Sequence, residues 1–116
     1  MEMMVDYNKV YKADRKNNGT QIVVIEPGLE SRKLNHICRH SPDGFEWGYG
    51  GSGPSDLALS ILIDAVGPVL AEQYYQQFKW SFIANQPREG FEIKLSEVLD
   101  FIHNDTALAL IDNQAP

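Results

Sequence analysis

The chain has 116 residues, a length that suits one domain with a hydrophobic core of its own. A composition of 43% hydrophobic and 22% charged residues excludes a wholly disordered chain. Lys and Arg total 10 against 16 Asp and Glu, and the resulting charge of -6 argues against broad nucleic-acid binding while suiting a basic partner surface.

The segment Met1–Asp6 is acidic and has no long apolar core, so it reads as neither a signal peptide nor an anchor. No run approaches the roughly 18 apolar residues that cross a bilayer, and a cytoplasmic protein without a membrane partner is expected. Lys9–Lys12 is a short strand candidate, and the β-branched Gln21–Ile25 is a stronger one. Asn17-Asn18-Gly19 between them tolerates the positive φ of a hairpin turn, and Pro27-Gly28 punctuates the end of the second strand. Ser31–Arg39 is ambiguous, with Leu34, Ile37 and Cys38 as its apolar positions. Cys38 is the only cysteine, which excludes an intramolecular disulfide. With three histidines (His36, His40 and His103) it gives zinc poor raw material, so no metal and no cofactor is expected. Cys38 reads as a small buried hydrophobe.

Ser41-Pro42-Asp43-Gly44 is a turn signal, after which Phe45, Trp47 and Tyr49 alternate with Glu46 and Gly48. That period of two predicts a strand with three aromatics on one face. Gly53-Pro54-Ser55-Asp56 resembles a helix start, with Pro54 at the first helical position and Asp56 as a first-turn partner of the helix dipole. Leu57, Ala58, Ile61, Leu62, Ala65 and Val66 recur at helical spacing until Gly67-Pro68 ends or kinks the helix. A second helix is predicted over about 69–84, with Leu70, Tyr74, Phe78 and Phe82 as a core stripe, Lys79 in solvent and Pro87 closing it. Phe91–Leu95 alternates as a returning strand, and Ser96 is a candidate N-cap for a short terminal helix through Phe101 and Ile102.

The expected whole is one α+β domain over residues 1–116, with 1–8 and 112–116 frayed. A small antiparallel sheet (the N-terminal hairpin, the aromatic strand and the strand near 91–95) packs against two central helices and a short C-terminal helix. The generous apolar stripes on the helices also suit a homo-oligomer.

The chemistry concentrates between strand and helix, where Gly48, Gly50, Gly51 and Gly53 fall within six residues. Glycine backbone approaches a ligand closely, and successive free N–H groups at a helix N-terminus make an anion site. Ser52 and Ser55 add hydroxyl donors there, and Trp47 and Tyr49 offer faces for a stacked base. Arg39 and His40, just upstream, are candidates to meet a phosphate or carboxylate, with a solvated hairpin edge as the alternative reading. The candidate ligand-binding set is therefore Arg39, His40, Trp47, Tyr49, Gly50, Gly51, Ser52, Gly53 and Ser55. The residues leave a bland alternative open, in which the glycines form a tight connection and nothing more. Gly48-x-Gly50-x-x-Gly53 matches the dinucleotide fingerprint in spacing, but its strand lies in an antiparallel context without a βαβ unit, and no phosphate-loop lysine follows. No catalytic residue is assigned; a small enzyme using His40, Glu46 or Asp56 is the third reading after a binding protein and a protein inhibitor.

The run His40–Leu59, with its Gly-Phe-Glu-Trp-Gly-Tyr-Gly-Gly-Ser-Gly-Pro centre, resembles a family of short, uncharacterised bacterial and phage-borne proteins, a domain of unknown function. The likeness continues through Tyr75–Trp80 and into Pro87–Phe91, and the hairpin matches in style only. The family implies no established chemistry. Its phage association implies an accessory or anti-defence factor in the host cytoplasm, which sequesters a nucleotide-like signal or blocks a host protein complex.

Overall fold

In the computed structural model, which describes residues 8–17 and 19–114, a four-stranded antiparallel sheet packs against three helices. Strands β1 (Val10–Lys16) and β2 (Gly19–Ile25) form the expected hairpin, longer than its β-branched cores, with Lys16 opposite Gly19. The two-residue β3 (Arg32–Lys33) borders β2, and β4 (Gly90–Lys94) pairs with β1 from Val10↔Lys94 to Asp14↔Gly90. The spatial order is β3-β2-β1-β4. Alternation turns Tyr11, Ala13, Ile22, Val24 and Ile93 to one buried face.

Helix α1 (Ser52–Val66) lies at the centre of the molecule, buried at every residue from Gly53 to Leu62. It is apolar nearly all round because the sheet, the next helix and the long loop before it each cover a side. Gly67, at φ +88°, donates its N–H to Ile63 O and also caps α2 (Pro68–Phe78), so Gly67-Pro68 separates two helices. The chain then widens into a π turn over Lys79–Ile83, closed by the Ala84 N–H on Lys79 O. Tyr74 and Phe78 are buried, and Phe78, Phe82 and Phe101 form an aromatic cluster, so the predicted stripe is core. Helix α3 (Leu95–Gln114) follows β4 directly.

Several expectations are corrected. Residues 45–49 form no strand: Gly48 at φ +90° breaks the alternation, so Phe45 and Trp47 are buried while Tyr49 is 53% exposed. Pro54 is the third helical residue, and Asp56 lies beyond the first turn of α1. Lys79 is buried and its neighbour Trp80 exposed, because the π turn shifts which positions face inward. Cys38 is exposed. Helix α3 begins before Ser96, where Glu97 Oε1 accepts the Lys94 N–H as in a capping box, and it is far from short. The frayed ends expected over 1–8 and 112–116 fall mostly outside the described residues, although helical backbone continues to Gln114. Among the described residues, no helix is long and apolar enough to cross a membrane.

Candidate functional site

The loop from Leu34 to Gly51 is irregular, so its polar groups need partners supplied by the elements around it. Asp56 supplies three of them. Its fully buried carboxylate accepts the N–H groups of Arg39, His40 and Ser41 and faces His36 Nε2 at 2.9 Å. Burial favours the neutral acid, but the hydrogen bonds from His36 and the three backbone donors outweigh it and hold the carboxyl below its usual range. Asp56 therefore anchors the loop rather than serving the helix dipole. Ser60 Oγ adds a bond from the Ile37 N–H.

The other end of the loop is held by β1. Arg15 grips Glu46 with two nitrogens at 3.0 and 2.7 Å, donates Nε to Arg88 O at 2.6 Å and lies 4.5 Å over the Trp47 ring. The hydrogen bond from Arg15 holds the Glu46 carboxyl below its ordinary range. Trp47 Nε1 donates to Pro87 O and Arg88 O, and its ring meets Phe91 edge-on. Gly48 N–H donates to Ile83 O, the last residue of the π turn. Helix, strand and π turn thus fix the loop at three points.

What remains open is the glycine turn. Among the described residues, the N–H groups of Gly50, Gly51, Ser52 and Gly53 meet no acceptor, and Gly51 caps α1 without a side-chain hydrogen bond. The exposed Trp80 ring lies against Gly50 and the exposed Tyr49 ring against Gly51, each where a Cβ would stand. Two shallow clefts of about 310 and 330 Å³ flank the Arg15–Glu46 pair and share Tyr49; Ser52 and Gly53 line the first, and Arg88 lines the second. Arg88 has no ion-pair partner among the described residues.

The sequence-predicted set is divided by this geometry. Tyr49, Gly50, Gly51, Ser52 and Gly53 gather at the turn. Trp47 is inward, an anchor whose edge reaches the second cleft. Ser55 is buried. Arg39 pairs with Glu72, and His40 Nε2 lies 2.9 Å from Tyr75 Oη, so both are tied to α2. Glu46 and Asp56 have separate partners and form no carboxylate pair among those contacts. Trp80, Arg15 and Arg88 were missed. Only the β1–β4 register, with Asp14 opposite Gly90, brings Arg15 and Arg88 together, and no local pattern announces it.

No curated protein and no solved structure matches the chain. A family model does, over residues 11–104, which extends the likeness through the hairpin and into α3. The chain belongs to that family, DUF6166, a family of unknown function.

Proposed function

We propose that the protein is a non-enzymatic binding protein that holds an anionic, nucleotide-like small molecule at the Tyr49–Gly53 turn. One observation carries the reading: four consecutive backbone N–H groups without acceptors open the N-terminus of α1 between two exposed aromatic rings. A phosphate takes the N–H groups, a base stacks on Tyr49 or Trp80, and Arg88 offers a second charge. Binding without turnover fits the acid–base candidates, since His40, Glu46 and Asp56 are each engaged by a structural partner. In a bacterial or phage setting such a protein sequesters a nucleotide signal.

The test is a thermal-shift and calorimetric titration with mononucleotides, dinucleotides and cyclic oligonucleotides, because a ligand that binds the native state raises its melting temperature. Trp80→Ala or Tyr49→Ala should weaken binding by about 5- to 150-fold, the range for losing one stacked base. Ser52→Pro is the sharper variant. Proline suits the first helical position, and Gly51 at φ -123°, ψ -163° is already extended, as a residue before proline must be. The fold should survive while one N–H donor and the anion affinity are lost. No heat and no shift with any member of the panel overturns the proposal.

A second reading has its own observation, the 60% exposure of Trp80 beside Tyr49 on an acidic protein. An exposed aromatic pair suits a protein interface, as in an inhibitor of a host complex. It predicts that Trp80→Ala abolishes capture of a basic partner while Ser52→Pro leaves capture unchanged.

A further inference from the structure

We propose that His36, Cys38 and Asp56 form a site for a divalent transition-metal ion, with zinc the best match. Their ligand atoms all lie within 4.8 Å of one another, although the lone cysteine and scattered histidines gave the sequence little promise of a metal site. Residues 36 and 38 are two apart on the irregular loop, and the fold brings both side chains to the same place. Helix α1 brings Asp56 to meet them.

Each donor is held before any ion arrives. The Asp56 carboxylate is fixed by three backbone N–H groups, which stay in place when a metal binds its remaining lone pair. The His36 ring lies 4.5 Å from Phe45 and directs Nε2 at Asp56 Oδ2, 2.9 Å away. In a tetrahedral zinc site with bonds of about 2.0 Å, two such atoms stand about 3.3 Å apart, so the pair opens by a few tenths of an ångström. Cys38 is exposed, with Sγ 3.4 Å from Ser41 O. On binding, its thiol proton leaves to solvent, the His36 Nε2 proton that met Asp56 is given up so that this nitrogen's lone pair faces the ion, and water takes the fourth position. Imidazole, thiolate and carboxylate together select a borderline ion over magnesium or calcium, which take oxygen donors.

The metal neutralises a carboxylate buried away from solvent and ties the loop to α1. It is a site distinct from the glycine turn, and its test is independent of nucleotide binding.

The experiment is titration of the tag-free, chelator-stripped protein with zinc by calorimetry, and with cobalt(II) by absorption spectroscopy. One zinc per chain should bind, and cobalt should show a thiolate-to-metal charge-transfer band with d–d bands as intense as four-coordination requires. C38S removes the charge-transfer band. C38S and H36Q each weaken zinc by roughly tenfold or more, and H40Q changes nothing. Cys38 is exposed, so C38S keeps the fold, and H36Q retains a donor for Asp56. A wild-type cobalt spectrum without the thiolate band overturns the site. So does zinc binding that survives both C38S and H36Q, or that is lost in H40Q alone.

Discussion

Gly48 is the one glycine of the turn with a positive φ, and it also lies close to Gln86 O. Gly50, Gly51 and Gly53 have backbone conformations that other residues adopt, so space is what each of them supplies. The neighbours differ in how they yield. At Gly50 and Gly51 an added Cβ meets the Trp80 and Tyr49 rings, which are exposed and free to swing outward. At Gly53 it would sit 2.7 Å from Glu46 Cβ and 3.1 Å from Glu46 N, where the chain is held by Arg15. Gly53→Ala should therefore destabilise by about 1–3 kcal/mol in urea unfolding, as overpacking does. Gly50→Ala should cost under about 0.5 kcal/mol, as an unobstructed surface change does, while displacing Trp80 from the turn. Equal costs for the two would show that the space argument is wrong. Glycine count alone announced a special turn in the sequence, but the distinction between its members depends on distant neighbours.

The elements carried by long periodic runs were legible: the hairpin, α1, the break at Gly67-Pro68 and the returning β4 all follow their residue patterns. The aromatic segment was misread because alternation describes a strand only where the backbone is extended throughout, and one left-handed glycine cancels it. The π turn was illegible because an i→i+5 bond leaves no periodic mark in five residues. The site suffered most, since its members come from β1, the loop, the π turn and the approach to β4. Arg15 shows what joins them: one guanidinium at the end of β1 holds Glu46, the Arg88 carbonyl and the Trp47 face. Lysine cannot reproduce that fork or the stacking. Arg15→Lys should cost about 1–2 kcal/mol, combining a lost charge-assisted hydrogen bond with weaker stacking. Hydrogen exchange should show the loss confined to residues 45–49 and the start of β4, with the β1–β2 ladder still protected. Uniform loss of protection would place Arg15 in the global core instead.

Sheet and helix layer are joined across the whole molecule by Asp64 at the end of α1. Its carboxylate accepts Tyr11 Oη at 2.7 Å, Lys9 Nζ at 2.7 Å and Arg32 Nη2 at 2.8 Å, gathering β1, the residue before it and β3 onto one helix. Burial favours its protonated form, but the bonds from Lys9, Tyr11 and Arg32 prevail and lower its pKa. Tyr11 moves the other way: burial first, then the bond to Asp64, raise its pKa far above the usual phenol value. The unfolded chain titrates these groups near pH 3.9 and 10. A depressed carboxylate stabilises the fold above its unfolded value, and that stability is lost as pH falls through the folded pKa. A raised phenol stabilises the fold below its unfolded value, and that stability is lost as pH rises past it. Stability should therefore be level between about pH 5 and 9 and fall on both sides, each group contributing a slope of up to about 1.4 kcal/mol per pH unit. Urea unfolding across pH measures both limbs. Tyr11→Phe should flatten the alkaline limb, and Asp64→Asn should remove its share of an acid limb to which Asp56 and Glu46 also contribute, each at some cost near neutrality because the surviving partners lose a hydrogen bond. If Tyr11→Phe leaves the alkaline slope unchanged, the loss belongs to lysines elsewhere and the Tyr11–Asp64 bond does not couple sheet to helix.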